Sequence, residues 1–445
     1  MSKLNSIFSK NGAKPKKLLI ITSSGGGGLI QTANAKEQEA LANHPDLIIV
    51  RKDLLKEWAP FSQFSINFWN NAQQNGRIFV QLICVYGQFL WDIFLFPSIF
   101  FHALFTLFKE DVDHIIDTQP MGTSAIVKAL RFFNFKRKKN VRVEKVLVDL
   151  PTRKATHFFR PIKKLSKKNR RLLLLTTIAP LLEEGETAEE FWQETCGFSE
   201  KEINCEDVYV RQAFRTYKGK GRPESPLHVR VKFKNQEELR LMRKTFQRGP
   251  IQAAIRQDEV DFRIRPEDKV FTILLGSQPA SEGTLNYVKK LAALAKEHQT
   301  PTHVFVFCAD HQPGEETLFK RAAHFVEGIK DYPKHLSIIP FSFQSENVIA
   351  PLFHRSDATC TRSGGQTAME LMCVSTGQIW IHSEAKLGQD LLRGIPGWEA
   401  ASAVYLEKLR DAKIVTPDTF IPHARRLYRK DSRQHAATRA LESTA

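Results

Sequence analysis

Paired cysteines are missing from this sequence. Its six cysteines, at 84, 196, 205, 308, 360 and 373, form no CxxC pair and no Cys/His spacing of the kind a zinc site needs. Reduced, mostly buried thiols are expected in place of a disulfide or zinc framework. Negative charge is also in short supply. Sixty-five Lys and Arg against 48 Asp and Glu leave a formal net charge of +17, which favours anionic partners: nucleic acid, acidic lipid headgroups or phosphorylated substrates. The sign of the charge does not choose among them. Met1 to Lys17 is polar and basic without an apolar h-region, which predicts no secretory signal and folding in a cytoplasm. No internal repeat and no low-complexity tract is evident.

What is present is the composition of a folded protein, 42% hydrophobic, 10% aromatic and 25% charged, in 445 residues, more than one core usually supports. Two domains are therefore expected. Short apolar runs alternate with helical stretches: Lys17 to Thr22, a helix through His44, Asp46 to Val50, His114 to Asp117 and Val143 to Asp149. Runs of this kind, separated by helices, predict a parallel sheet covered on both faces. The rhythm restarts with Val270 to Leu275, then His303 to Cys308, Leu336 to Pro340, Ala358 to Thr361 and Gln378 to Ile381. An α/β chain is expected, with domains over 16–218 and 268–420, a flexible N-terminus at 1–15 and a C-terminal helix and tail at 421–445. Residues 219–267 read differently. Pro223 and Pro226 mark a break, and His228 to Lys234 alternates basic and apolar residues like an edge strand with a cationic outer face. This segment is expected to be a linker with a basic excursion, packed on the N-terminal domain.

Ile78 to Phe108 runs 31 residues without Lys or Arg and is dense in aromatics. A transmembrane span is disfavoured there. Gln81, Gln88, Asp92 and His102 interrupt the stretch, Pro97 breaks its middle, and an aspartate at mid-bilayer costs about 2.5–3.5 kcal/mol. Two amphipathic or buried helices are expected, either in the core of the N-terminal domain or partly dipping into a bilayer interface. Cations cluster close by, at Lys136 to Lys139, Arg153-Lys154, Arg160, Lys163-Lys164, Lys167-Lys168 and Arg170-Arg171. Solvated loops explain such runs as readily as an anionic surface, near which each cation contributes about 1 kcal/mol. Paired with the aromatic segment, they make the two-signal recipe for reversible membrane attachment.

Three glycine-containing loops follow apolar runs. Thr22 to Gly28 reads TSSGGGG, after a strand and before a helix. There Ser24, Gly25, Gly26, Gly27 and Gly28 let backbone N–H groups and the helix N-terminus approach an anion or a polar substrate. It matches neither nucleotide motif: a P-loop needs Lys-Ser/Thr where Leu29-Ile30 stand, and the dinucleotide form needs Gly at Ile30. A tight turn without a ligand is the plainer alternative. Thr361 to Leu371, TRSGGQTAMEL, is the sharper signal. Backbone N–H groups of this turn and the hydroxyls of Ser363 and Thr367 are placed to face a diphosphate, with the helix dipole adding its partial charge. Glu370 falls about one turn into the helix, where a carboxylate can hold two vicinal ribose hydroxyls or merely complement the helix dipole. The loop Gly276-Ser277-Gln278 ends the first strand of the second unit. Ligands in open α/β sheets gather outside the carboxyl ends of strands, so this loop and the Ser363 turn are expected to line one crevice, with Gln389-Asp390 completing its rim.

Taken in order, these loops carry a family resemblance. SSGGGG at 23–28, IIDTQPMG at 115–122, LVDLPT at 147–152, SQPASEG at 277–283 and TRSGGQTAMELM at 361–372 are similar to the GT-B glycosyltransferases that include the bacterial peptidoglycan enzyme MurG and the plant monogalactosyldiacylglycerol synthases. The resemblance spans roughly residues 20 to 400. It implies two Rossmann-like domains facing each other across a cleft, the second binding a UDP-sugar and the first, facing the membrane, receiving a lipid acceptor. On that footing Glu370 holds the donor ribose, Ser363, Gly364, Gly365, Gln366 and Thr367 the diphosphate, and Gln389 and Asp390 the sugar hydroxyls. Gly276, Ser277 and Arg362 line the same donor site, while Ser24 to Gly28 and Gln119 face the acceptor.

One position departs from the pattern. The family places a His directly after the glycine loop, where this chain has Leu29, so the obvious base is missing. A direct inverting displacement still requires a group to take the acceptor hydroxyl's proton. Asp149 and His157 are the nearest candidates by motif position, with structural roles as the alternative for each. Departure of the diphosphate would be assisted by N–H dipoles and Arg362, with no metal and no cofactor expected beside the UDP-sugar donor. The expected partners are a nucleotide-sugar, an anionic membrane surface and a lipid acceptor, without nucleic acid, at a cytoplasmic, peripheral-membrane location. The competing expectation, which Leu29 supports, is a catalytically impaired protein of the same fold acting as a membrane- or partner-binding module.

Overall fold

The computed structural model describes residues 16–59, 62–309 and 317–429; the expected flexible N-terminus at 1–15 and the tail at 430–445 lie outside them. The chain divides into two compact units, the first holding residues up to 215 with 363–370 and 396–405, the second holding 216–362, 371–395 and the residues from 406 on.

In the first unit β1 (Lys17–Thr22), β2 (Ile48–Asp53), β3 (His114–Asp117), β4 (Val143–Val146), β5 (Leu173–Thr177) and β6 (Ile203–Cys205) pair in parallel, in the order β2-β1-β3-β4-β5-β6. Their connections carry α1 (Gly27–Asn43), α2 (Ser62–Gln74), α3 (Ile78–Tyr86), α4 (Gln88–Phe94), α5 (Phe96–Glu110), α6 (Thr123–Arg137), α7 (Thr156–Lys163), α8 (Lys167–Arg170) and α9 (Ala188–Thr195), and α10 (Gln212–Arg215) follows the last strand. Strands β3, β4 and β5 are buried at every position, as a sheet covered on both faces requires.

The segment 219–267 is not a linker. It forms β7 (Leu227–Lys232), α11 (Gln236–Phe246), β8 (Gln252–Arg256) and β9 (Glu259–Ile264), with the strands antiparallel in the order β7-β9-β8. β7 is an edge strand, as its alternation predicts, with Val229 and Val231 buried and His228, Arg230 and Lys232 outside. The inner face has to be buried against another layer. Val229, Val231, Val260 and Phe262 therefore join Met242 and Phe246 of α11 in the core of the second unit, and the segment packs there instead of on the N-terminal domain.

That second core is built on β10 (Lys269–Leu274), β11 (Thr302–Phe307), β12 (Leu336–Phe341), β13 (Ala358–Thr361), β14 (Gln378–His382) and β15 (Lys413–Val415), all parallel, in the order β12-β11-β10-β13-β14-β15. Helices α12 (Ser281–Ala295), α13 (Leu318–Gly328), α14 (Glu346–Arg355), α15 (Gly365–Val374) and α16 (Gly397–Arg410) connect them. Counted from β10 this is the 3-2-1-4-5-6 order of the Rossmann fold. The first unit has the flavodoxin-like order extended by one strand. Two Rossmann-like units in one α/β chain are the composition of the GT-B fold.

Between β2 and β3 the aromatic segment folds as three helices over 78–108 where two were expected, because the chain breaks at Gly87 and again at Leu95. α4 and α5 meet at a bend of 61°. Pro97 sits in the first turn of α5, where its missing N–H leaves no helical bond unmade. Among the described residues no single helix is long and apolar enough to cross a membrane; the bent α4–α5 pair passes that test only jointly, by length and composition.

Candidate active site

In an open parallel sheet, ligands collect outside the carboxyl ends of the strands where the winding reverses. In the first unit that point lies between β1 and β3, whose exit loops carry Ser24, the glycines and Gln119. In the second it lies between β10 and β13, whose exit loops begin with Gly276-Ser277 and with Arg362. The strand orders thus put the sequence motifs at both switch points.

The loops of the first switch point are held by backbone contacts. Asp53 Oδ2 accepts from Ser24 N (2.9 Å), Ser23 Oγ from Gly25 N (3.2 Å), and Leu29 O from Thr118 Oγ1 (3.2 Å). Asp117 accepts from Gln119 N (2.8 Å) and from Lys145 Nζ (2.7 Å), and Lys145 also donates to Gln119 O. Burial pushes the Asp117 carboxyl up, and Lys145 opposes that push. With its backbone fixed, Gln119 is left with a buried side-chain nitrogen that has no partner, and so are Thr22 Oγ1, Ser24 Oγ, Thr123 Oγ1, Thr152 Oγ1 and His157 Nδ1. All six belong to residues between the carboxyl ends of β1, β3 and β4 and the first turns of the helices that follow them. Buried polar atoms are nearly always paired, so their concentration here is what a site for a polar molecule would leave.

Asp149 and His157, singled out as candidate bases, are hydrogen-bonded to each other. Asp149 Oδ2 lies 2.8 Å from His157 Nε2. A carboxylate accepts, so Nε2 carries the proton and Nδ1 is a free acceptor. The imidazole is wedged edge-on against Trp398 (centroids 5.6 Å apart), which stacks on Trp69 of α2 at 6.3 Å, and Gln88 of α4 donates to the His157 carbonyl oxygen (3.2 Å). Trp398 and Gln88 were not foreseen as parts of the site. Gln88 was noted only as a polar interruption, and nothing near Trp398 in sequence marks it.

The TRSGGQTAMEL turn comes directly against this pair. A Cβ on Gly365 would lie 2.5 Å from Asp149 Cα and collide with the Val148 carbonyl, so only glycine lets α15 start here. Gln366 is spent on the protein: its Oε1 accepts from Thr32 Oγ1 (2.7 Å), and its Nε2 donates to Tyr209 O (3.4 Å) and Glu370 Oε1 (3.2 Å). Ser363 Oγ, expected to face a diphosphate, donates to Glu399 O (2.7 Å). Glu370, expected to hold ribose, is 3% exposed and paired in bidentate fashion with Arg211, Nε to Oε1 at 2.8 Å and Nη2 to Oε2 at 3.0 Å. No motif marked Arg211. Thr367 and Gly364 remain partly open, and a side chain at Gly364 would meet nothing within 4 Å.

At the second switch point Gly276 turns with φ at +88°, a conformation that suits glycine, and Arg362 is half-buried. Beside them, at the end of β14, His382 accepts or donates at Nδ1 with Tyr287 OH (3.1 Å) and places Nε2 at 3.1 Å from Glu384. Burial would raise the Glu384 carboxyl, but His382 and Arg362 outweigh it and hold it below its ordinary range. Glu384 was not anticipated, although it stands two residues after the end of β14. Gln389 and Asp390 are exposed and serve their own turn: Gln389 Oε1 accepts from Lys386 N (3.2 Å) and Asp390 Oδ1 from Leu392 N (3.0 Å).

No family model and no curated protein matches this sequence. Among solved structures the chain is similar to MurG from Acinetobacter baumannii, at 13% identity over 95% of this chain and 91% of that one, with a TM-score of 0.42. It is similar also to the glycosyltransferase SnogD from Streptomyces nogalater, at 11% identity over 91% and 87% with a TM-score of 0.44. A third likeness is to UDP-GlcNAc 2-epimerase from Methanocaldococcus jannaschii, at 13% identity over 90% and 89% with a TM-score of 0.41. Glycosyltransferases are thus among the structures this chain resembles; the architecture itself stands on the strand orders.

Proposed function

We propose that this protein transfers a sugar from a nucleotide-sugar donor, of the UDP class, to a membrane-associated acceptor by metal-independent inverting displacement. The observation that carries this reading is the Asp149–His157 pair, set among buried polar atoms that lack partners at the carboxyl ends of β1, β3 and β4. In the reaction an acceptor hydroxyl gives its proton to His157 Nδ1 as its oxygen attacks the anomeric carbon, and the bond from that carbon to the diphosphate oxygen breaks. Asp149 orients the imidazole and stabilises the imidazolium that forms. Charge growing on the diphosphate is met by the N–H groups at the start of α15 and by Arg362. His157 thereby takes the role for which Leu29 has no chemistry.

A carboxylate offers about four lone-pair sites, and Arg211 and Gln366 occupy most of those on Glu370. Ribose hydroxyls therefore compete with Arg211 for Glu370, and nucleotide binding includes the opening of that pair. The exposed aromatics of α3 to α5 and the cations around them give the acceptor's membrane a surface to meet, at a peripheral location.

Thermal unfolding in the presence of UDP, GDP, ADP and UDP-sugars tests the donor site. A bound nucleotide at ~100-fold excess over its dissociation constant adds about 2.7 kcal/mol of stability, and Glu370→Gln should lose that gain. Sugar transfer to a lipid extract should fall by roughly 10²–10⁴-fold in His157→Ala. No stabilisation by any nucleotide would refute the donor reading. The Arg211 closure and Leu29 would then favour the second reading, a non-catalytic membrane- or partner-binding module.

A further inference from the structure

The small antiparallel sheet of the second unit has an open edge. β9 lies in its middle, and among the described residues β8 pairs with β9 alone. The opposite edge differs: at β7, Gln344 from the loop after β12 donates its Nε2 to Lys232 O (2.9 Å). Among the described residues no side chain bonds to the backbone of residues 252–256, and the sequence QAAIR contains neither proline nor lysine, which commonly blunt an exposed edge. Register fixes the two faces of β8. Ala253 stands opposite Phe262 and Ile255 opposite Val260, so both share the inner face with the buried residues of β9. Ala253 is packed on the core there, yet Ile255 is 41% exposed beside fully buried Val260. The layer that buries β7 and β9 stops short of the open edge and leaves an apolar side chain for a further strand to cover.

Charge on the outer face says what that strand carries. On β7, His228 Nδ1 lies 3.2 Å from Asp261, and Lys232 Nζ lies 3.8 Å from Glu259. Glu259 is opposite Arg256 in register but has its ion pair with Lys232. Arg256 of β8 and Arg263 of β9 thus have no carboxylate partner among the described residues, and the Arg263 guanidinium reaches over to Gln252 Oε1 on β8 (3.3 Å). Opposite charges directly across a strand pair stabilise a sheet and like charges destabilise it. A second copy of β8 would bring more arginine to this face, and residues 1–15 and 430–445 show no alternation of apolar and acidic residues. We propose that β8 binds an extended segment of another protein in which apolar and acidic residues alternate, added to the sheet as a fourth strand. Backbone bonds at the open edge hold the segment, its apolar residues cover Ile255, and its carboxylates meet Arg256 and Arg263. This surface belongs to the second unit alone and does not rest on sugar transfer.

The probe is a fluorescent peptide of about ten residues that alternates valine with glutamate, titrated with the full chain and read by anisotropy. It should bind, and the matching valine–lysine peptide should bind roughly tenfold more weakly or worse. Methylating the backbone nitrogens of either the valines or the glutamates, one set only, should abolish binding, because alternate N–H groups of a strand point to opposite edges. That comparison needs no change in the protein. Arg256→Glu combined with Arg263→Glu, both at exposed side chains, should weaken the glutamate peptide roughly tenfold and tighten the lysine one. Ile255→Ser should weaken both peptides. No binding of the glutamate peptide would overturn the proposal, as would equal binding of the lysine peptide or binding that survives both methylations. A monomer–dimer equilibrium in sedimentation that Ile255→Ser weakens would give the edge to a second copy and overturn it as well.

Discussion

Fifteen of the nineteen large apolar side chains that stand exposed among the described residues belong to the first unit, fourteen of them between Phe64 and Phe135. The second unit exposes Ile255, Phe343, Leu387 and Leu409, far apart in sequence. Both units rest on six parallel strands with buried centres, so the difference does not come from the sheet plan. It comes from the connection between β2 and β3, where four helices, α2 to α5, stand where one or two suffice elsewhere and bring a second apolar face that no described residue covers. Contiguous exposed apolar surface of this kind marks interaction sites. The interiors differ in the same sense. The first unit gathers unpaired polar atoms around the carboxyl ends of β1, β3 and β4, whereas in the second such atoms lie also within strands, as at His303 Nδ1 and Thr359 Oγ1, and Asp357 accepts from Arg222 (2.8 and 3.0 Å), Lys269 (3.1 Å), Arg355 (3.4 Å) and Val270 N (2.9 Å) together. A receptive unit and a closed one have been made from one architecture.

The sharpest way to break this contrast is to remove one arginine from each unit. Arg211→Ala leaves Glu370 buried with only Gln366 beside it, a loss expected to cost about 3–5 kcal/mol. Arg222→Ala leaves Asp357 with Lys269, Arg355 and a backbone N–H, and about 2 kcal/mol is expected. Urea midpoints of the two variants measure the difference; equal losses would mean that the second unit's network is not redundant.

Acid provides the next contrast. Burial would raise the Glu144 carboxyl in the first unit, but Lys36, His114 and Thr176 outweigh it and bring it from 4.5 to about 2. In the second unit burial would raise Asp268, but His303 and Arg265 bring it from 3.8 to about 2. Both folded-state values lie below the unfolded ones. Each contribution is therefore complete above the unfolded value and disappears as the pH falls through the folded one. At 1.36 kcal/mol per unit these amount to roughly 3 kcal/mol for Glu144 and roughly 2 kcal/mol for Asp268. Between pH 5 and 2 stability should fall with both groups, more with Glu144 than with Asp268. Glu144→Gln should be less stable at neutral pH, because buried Lys36 loses a partner, yet lose less on acidification in urea titrations. An unchanged acid slope in that variant would place the dependence elsewhere.

The parallel strands were legible in the sequence because burial on both faces turns them into continuous apolar runs: β1, β3 and β13 fall on the expected residues. β5 was missed because Arg170-Arg171, just before LLLTT, draws the reading toward charge. β9 was missed although Val260, Phe262 and Ile264 alternate with charged residues as β7 does, and without it β7 has no partner and the whole segment reads as a linker. At the site, the loops were legible because each follows a strand and contains glycine. Arg211 and Trp398 were not, since they reach Glu370 and His157 from far along the chain, 159 residues away in the case of Arg211. Single-chain patterns report neighbours in sequence, whereas these contacts exist only once the sheet has folded.

The smallest expected effect sharpens the comparison at two helix caps. Thr187 closes a capping box on α9 in the first unit, its Oγ1 accepting from Glu190 N (3.2 Å) while Glu190 Oε2 accepts from Thr187 N (2.8 Å). Asn235 caps α11 in the second unit through Glu238 N (2.9 Å). Either residue changed to Ala should cost about 1 kcal/mol. The two caps are not equivalent in what lies behind them. Glu190 is exposed, whereas Glu238 is buried, accepts from Lys234 N (2.9 Å) and receives the hydroxyl of Ser342. Loosening the first turn of α11 therefore disturbs a buried carboxylate that ties the small antiparallel sheet to β12, while loosening α9 disturbs only solvent-facing groups. Asn235→Ala should cost more than Thr187→Ala by a few tenths of a kcal/mol, read from urea midpoints at neutral pH. If Thr187→Ala is the costlier change, the closed character assigned to the second unit does not extend to its inserted sheet.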